Sequence, residues 1–123
     1  MTALALRPAF VLLAVVATSA ALAGCASSSK TATGPGLSVD VTIAHGQVTP
    51  ANATLQATVR QPITLHVTSD AADELHVHSV PDHKFEVAVA ANQTFQFSVD
   101  VPGNVDVELH HLERTVATIQ VRP

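Results

Sequence analysis

The sequence predicts an all-β domain over residues 37–123, built as a two-sheet antiparallel sandwich of about eight short strands. Apolar and polar residues alternate with a period of two through this part of the chain, which is the pattern of strands with one buried and one wet face. Turn-forming residues separate the alternating runs, and no window has the i, i+3, i+4, i+7 spacing of an amphipathic helix. The length suits one small domain with a single core.

The alternating runs follow one another along the chain with turn chemistry between them. Gln61-Pro62 separates the second run from the third, residues 91–93 are predicted to form a turn, and Pro102-Gly103 precedes the seventh run. So many short strands in so short a chain favour two packed sheets. The predicted strands are 39–43, 55–59, 63–67, 75–77, 85–89, 95–99, 105–109 and 117–121.

Residues 1–24 are predicted to be a signal peptide. Arg7 precedes an apolar run of roughly 14 residues, which is short for a spanning helix of about 20 residues. The run ends in Leu22-Ala23-Gly24-Cys25. This tetrapeptide resembles the lipobox of bacterial lipoproteins, in which the cysteine sulfur is diacylated and the signal peptide is then removed. The resemblance implies lipidation of Cys25.

Cys25 is the only cysteine of the chain, so the exported domain has no internal disulfide. Lipidation gives this unpaired cysteine a use, and the alternative is an ordinary signal peptide with a free thiol. Residues 25–36 are rich in serine, threonine and glycine and are predicted to be a flexible tether. The protein is therefore expected on the extracytoplasmic side of the cell membrane, anchored in membrane lipid by the two or three acyl chains on Cys25.

The charge of the chain restricts its partners. The formal net charge is −4, and removal of Arg7 with the signal peptide makes it −5. A domain without a basic patch is not expected to bind nucleic acid. Anionic lipid headgroups do not attract an acidic domain either, so the lipid itself must provide the anchoring.

Several short motifs follow one another in a set order along the domain: IAHGQVTP at 43–50, DELHVH at 73–78, Pro-Gly at 102–103 and ELH at 108–110. Their order resembles that of cupredoxin-like domains, and most closely the EfeO-type cupredoxin-like lipoproteins of bacterial envelopes. The resemblance implies a Greek-key sandwich and places His76 at a copper-binding histidine position. It places Leu109 where blue-copper proteins have the cysteine ligand. Since no cysteine follows Cys25 and no methionine follows Met1, a blue-copper electron carrier is excluded.

Two pairs of polar residues have the spacing i, i+2 and predict a metal site. His76 and His78 point to one side of a strand, and Glu108 and His110 to one side of another, with roughly 7 Å between the Cα atoms of each pair. The apolar residues beside them take the inward register, so all four face outward. The resemblance implies that the two strands are neighbours. The predicted ligand set for copper or zinc is His76, His78, Glu108 and His110.

Other polar residues near these strands have predicted roles of their own. Glu74, Asp73 and His111 are candidate outer-shell partners that orient the imidazoles, and the alternatives for His111 are to cap the end of its strand or to join the ligand set. His45, His66 and His83 are predicted to face solvent. The alternative to a metal site is that Glu108 hydrogen-bonds a histidine on the facing strand.

These features favour a non-catalytic envelope module that binds copper or zinc for delivery, sensing or buffering. The alternative is a metal-free module that binds an envelope protein partner or supports assembly. The motif His76-Val77-His78 resembles the copper-binding H-V-H of copper–zinc superoxide dismutases, but those enzymes need an internal disulfide, which this chain lacks. No G-x-S-x-G motif or free nucleophilic cysteine points to a hydrolase. The protein is therefore not predicted to be an enzyme.

Overall fold

The computed structural model describes residues 35–123, so the predicted signal peptide, the predicted lipidation site Cys25 and most of the predicted tether lie outside the described residues. The described part forms strands and no helix, and it contains no helical segment with the length and apolarity needed to cross a bilayer. The strands are β1 Leu37–Ala44, β2 Gln47–Thr49, β3 Ala53–Thr58, β4 Ile63–Ser69, β5 Asp73–Val77, β6 His83–Val87, β7 Ala90–Phe97, β8 Gly103–Leu109 and β9 Arg114–Arg122.

The strands form two sheets that pack face to face, which confirms the predicted β-sandwich. One sheet has the order β2-β1-β4-β7, and the other has the order β3-β9-β8-β5-β6. The sheets are mixed rather than wholly antiparallel, because β1 pairs with β4, and β3 with β9, in parallel. Between β1 and β4 the chain crosses to the other sheet to form β3, so β4 enters the first sheet by a crossover and not by a hairpin.

The strand that the sequence did not predict is β2. It is only three residues long and buries a single apolar side chain, Val48, so it offers too little alternation to be recognised. It forms a hairpin with β1 through the two-residue turn His45-Gly46, where φ is 53° and 72° respectively. Positive φ at both central residues is the geometry of a type I′ turn, which matches the twist of the flanking strands.

The turn predicted at residues 91–93 is wrong, because these residues belong to β7. The pairing of β7 with β4 shifts register between Val67 and Ser69, and Asn92 beside this shift has a φ of 55°. The turn-forming residues therefore mark a β-bulge. At residues 88–89 the chain passes from β6 in one sheet to β7 in the other, and there the Gln93 side chain accepts from the Ala88 N–H and donates to the Ala88 carbonyl.

The core lies between the sheets and is almost entirely aliphatic. Strand β5 is flanked by β6 and β8, and both Leu75 and Val77 have no exposed surface. Polar residues alternate with these buried ones on the outer face, as the sequence predicted. The largest fully buried side chains are Ile63, Leu65, Leu75, Leu109, Ile119, Val41, Val67, Val77, Val99, Val107 and Val116.

A second β-bulge lies in β9. Val107 pairs with Ala117 whereas Glu108 pairs with Thr115, so Val116 is the extra residue. Both Val116 and Ala117 are buried, which breaks the alternation of β9 at this point. The bulge lies directly beside Glu108, and bulges often occur where a sheet presents functional side chains.

Candidate metal centre

Strands β5 and β8 place three histidines on the outer face of the five-stranded sheet. His76 lies opposite Glu108 across the β5–β8 pair, which confirms that the two strands are neighbours. Their pairing continues beyond each strand, because the His78 N–H donates to the Asp106 carbonyl at 2.9 Å and the His110 N–H donates to the Glu74 carbonyl at 3.0 Å. Since side chains alternate along a strand, His76, His78 and His110 share one face.

The three imidazoles form a compact cluster. Each of His76, His78 and His110 offers one nitrogen, and these ligand atoms lie within 4.8 Å of one another. His76 is central: its ring centroid is 3.9 Å from that of His78 and 5.0 Å from that of His110. His76 Nδ1 is 3.1 Å from His110 Nε2. Two nitrogens bound to one tetrahedral zinc ion at about 2.0–2.1 Å would be about 3.3 Å apart.

Each imidazole also contacts one carboxylate. Asp82 Oδ1 is 2.6 Å from His76 Nε2, Glu108 Oε2 is 2.9 Å from His78 Nε2, and Glu74 Oε1 is 3.0 Å from His110 Nδ1. These contacts engage one nitrogen of every ring. The carboxylates leave the other nitrogen of each ring uncontacted, and two of these nitrogens, His76 Nδ1 and His110 Nε2, lie within hydrogen-bond distance of each other. Carboxylates in this position fix the tautomer and raise the basicity of a ligating imidazole.

Glu108 lies beside the cluster, but its carboxylate is not one of the ligand atoms that converge there, which all belong to histidines. The Glu108 carboxylate makes a cross-strand hydrogen bond, as in the alternative that the sequence left open, but its partner is the diagonal His78 and not the directly facing His76. Glu74 occupies the outer-shell position that was predicted for it, and Lys84 Nζ lies 3.7 Å from its carboxylate. Lys84 itself faces His76 from strand β6.

Asp82 is the residue that the sequence analysis missed. It lies in the loop between β5 and β6, and its carboxylate is the closest of the three to an imidazole. The hydrogen bond from His76 lowers the pKa of Asp82 below its usual value of 3.8, desolvation opposes this shift in part, and the nearby cationic groups lower the pKa further. Asp82 therefore stays ionised and remains a strong hydrogen-bond acceptor for the His76 ring.

Two predicted outer-shell residues do not contact the imidazole cluster. Asp73 is only 4% exposed, and its carboxylate accepts the backbone N–H groups of Glu74, His111 and Leu112 at 2.7, 2.8 and 3.0 Å. The His111 ring lies 3.4 Å from the Ala72 carbonyl. The prediction was wrong because Asp73 shares the inward register of Leu75 and Val77 and so points away from the imidazoles. It holds the turn between β8 and β9, in which His110 lies.

The other histidines lie away from the cluster. His45 forms the β1–β2 turn, and its N–H donates to Asp70, whereas His66 lies exposed on the outer face of the other sheet. His83 was predicted to face solvent but is half-buried. Its ring centroid lies 5.4 Å from that of Phe97, and its Nε2 is 3.1 Å from the Ser98 carbonyl.

The residues do not fit a blue-copper site. Leu109 pairs with Leu75 and is 1% exposed, so it lies on the inner face of the sheet, whereas His76 lies on the outer face. The two positions that the resemblance equated with copper ligands therefore cannot hold one ion together. The described residues also contain no cysteine and no methionine, which are the thiolate and thioether ligands of such a site.

The structure is similar to solved cupredoxins at low sequence identity. Dithionite-reduced auracyanin from the photosynthetic bacterium Roseiflexus castenholzii is 9% identical, with a TM-score of 0.50, and the match covers 73% of this chain and all of auracyanin. A tryptophan-to-tyrosine variant of reduced amicyanin is 15% identical over 73% of this chain and 86% of amicyanin, with a TM-score of 0.49. The protein is thus a cupredoxin-like β-sandwich. The sequence matches no protein-family model and no curated protein.

Proposed function

We propose that this protein is a non-catalytic, lipid-anchored module of the cell envelope whose three-histidine cluster binds a divalent copper or zinc ion as cargo. The observation that supports it is the convergence of His76, His78 and His110 on one face of the sheet, each with a carboxylate behind it. Neutral imidazoles are good ligands for both ions. Without a thiolate or thioether in the described residues, the cluster favours Cu(II) and Zn(II) over Cu(I).

The exposure of the cluster suits delivery, sensing or buffering of the ion rather than permanent retention. The side chain of His76 is 13% exposed, but those of His78 and His110 are 45% and 39% exposed. Three imidazoles leave at least one coordination position of a four-coordinate ion open to solvent or to another ligand. An ion held in this way can exchange. Cys25 supplies the proposed anchor, which rests on the lipobox resemblance alone.

Titration calorimetry of Cu(II) and Zn(II) into the purified protein tests the proposal. We expect one ion per chain, with binding abolished in the double variant His76→Ala/His110→Ala. The matched control is His45→Ala/His66→Ala, which removes two exposed histidines outside the cluster and should bind like the parent. Equal binding by both double variants would show that ordinary surface histidines account for it, and the proposal would be rejected.

A metal-free binding module is the second candidate. All three imidazoles already have hydrogen-bond partners, and among the described residues no buried side-chain nitrogen or oxygen lacks one. Each ring is therefore held by at least one hydrogen bond without an ion. Under this alternative, capture of an envelope protein would be unaffected by a chelator, whereas under the leading proposal chelation would change it.

A further inference from the structure

Two loops beside His78 expose large apolar side chains. Val80 is 59% exposed and Val101 is 48% exposed, and among the described residues the only other exposed large apolar side chain is Val89. The loops lie side by side, because the Asp100 N–H donates to the Val80 carbonyl at 2.8 Å. Together with His78 the two valines line a shallow cleft of about 170 Å³. We call this feature, formed by residues 78–80 and 101–105, the valine cleft.

The valine cleft is preformed. The His78 N–H donates to the Asp106 carbonyl, and the Val80 carbonyl is held by Asp100. The Ser79 hydroxyl donates to the Pro81 carbonyl at 2.5 Å. Backbone hydrogen bonds thus fix the loop that carries Val80 to both neighbouring segments. A surface that is already ordered loses little conformational entropy when a partner binds to it.

The valine cleft is bordered by negative charge. Asp82 follows the first loop, Asp100 precedes Val101, and Glu108 contacts His78. Asp106 is exposed on the same face. On the basic side, Lys84 lies near the Glu74 carboxylate, and Arg60 reaches this end of the sandwich through its backbone N–H bond to Val99. With Glu74 of the adjoining cluster included, five carboxylates stand against two basic side chains, so negative charge remains in excess by one when a divalent ion is bound, and a basic partner is attracted while an acidic one is repelled.

We propose that the valine cleft is the docking surface for a second protein that exchanges the metal cargo, and that this partner presents a basic, apolar segment with an imidazole. This inference rests on the proposed function, since the valine cleft and the three-histidine cluster share His78. His78 has the most exposed side chain of the cluster, so it is the ligand that an incoming imidazole replaces first. The ion moves as a divalent cation by ligand exchange, with no electron transferred.

The test measures transfer of Cu(II) from the loaded protein to two synthetic peptides. One is the pentapeptide Lys-Val-His-Val-Lys, acetylated at its N-terminus and amidated at its C-terminus so that the imidazole is its metal ligand, and the other has glutamate in place of both lysines. Stopped-flow absorbance follows the transfer for the parent, Val80→Ser and Val89→Ser. We expect the basic peptide to accept copper at least about fivefold faster at low salt, and this advantage to shrink as salt is added. Val80→Ser removes an apolar contact that both peptides share, so it should slow transfer to both of them, whereas Val89→Ser should behave like the parent.

The two proposals fail in different ways. If the parent binds no copper in calorimetry, the proposed function fails, and the docking proposal fails with it. If copper binds with equal affinity to all three proteins but Val80→Ser transfers it as fast as Val89→Ser, or both peptides accept it equally fast, only the docking proposal is overturned. Flotation with neutral phosphatidylcholine vesicles that is lost in Val80→Ser, without any effect on transfer, would instead assign the valine cleft to a lipid surface and also overturn the proposal.

Discussion

Replacing Asp73 by asparagine tests whether one buried carboxylate holds the β8–β9 turn, which contains His110. Asp73 accepts three backbone N–H groups, two of them from the β8–β9 turn. An asparagine of the same shape keeps one oxygen acceptor but turns an amide N–H₂ group toward one of the donors. The variant therefore loses at least one hydrogen bond to a charged acceptor, and such bonds contribute about 1.5–3 kcal/mol each.

We take about 2 kcal/mol as the loss of unfolding free energy in Asp73→Asn. In a domain of this size each kcal/mol shifts the melting temperature by about 4–8 °C, so we expect a decrease of about 8–16 °C. Thermal denaturation followed by circular dichroism measures it. The control is Asp70→Asn, because Asp70 is exposed and its side chain accepts a single N–H, that of His45. It should lower the melting temperature by only a few degrees.

The same variant links stability to the three-histidine cluster. The turn held by Asp73 contains His110, so a looser turn should also weaken Zn(II) binding even though no ligand has changed. The reasoning would be refuted if Asp73→Asn melted within about 2 °C of the parent, or if it melted no lower than Asp70→Asn. A lower melting temperature with unchanged zinc affinity would show that Asp73 stabilises the fold without positioning His110.

Three further outcomes are expected. Asp82→Asn should weaken Zn(II) binding by about 10- to 100-fold in calorimetry, while Asp100→Asn, which alters a carboxylate outside the cluster, should not. Because the pKa of Asp82 is lowered on folding, ionised Asp82 stabilises the domain above its usual pKa of 3.8, and this contribution is lost as the pH falls through the lower folded value. Acid unfolding of Asp82→Asn should therefore lack this component. Leu109→Cys loaded with Cu(II) should show no intense blue absorption, since position 109 faces the core and His76 does not; a blue band would contradict the assignment of faces.

The sandwich could be predicted because its strands alternate so regularly. Residues such as Leu75, Val77 and Val107 fill every second position, and burial of one face follows directly from that period. The period of two does not specify which strands pair or in which direction. The two parallel pairs arise from crossovers between the sheets, and these depend on how the whole chain packs rather than on any local pattern.

The histidine pairs could be found for the same reason, but their carboxylate partners could be found only in part. Glu74 shares the outward register of His76, so its contact with His110 follows from the strand pattern. Asp82 lies in a loop, and a loop has no periodic pattern from which the direction of its side chains could be predicted. Conversely, Asp73 and His83 share the inward register of the apolar residues of their own strands. Their register can be read from the sequence and predicts that both are at least partly buried, although polar residues are usually expected to be exposed.

The core and the three-histidine cluster lie on opposite faces of the same strands, so most substitutions should affect one of them and not the other. The core is made by inward residues such as Leu75 and Leu109, whereas the three-histidine cluster lies on the outer side of the same two strands. Substitutions in the cluster remove hydrogen bonds near the surface but create no cavity, so they should affect metal affinity far more than stability. Asp73 is the exception, because it is buried in the inward register and yet holds the turn that contains His110. Stability and metal binding should therefore be coupled through Asp73 and otherwise vary independently.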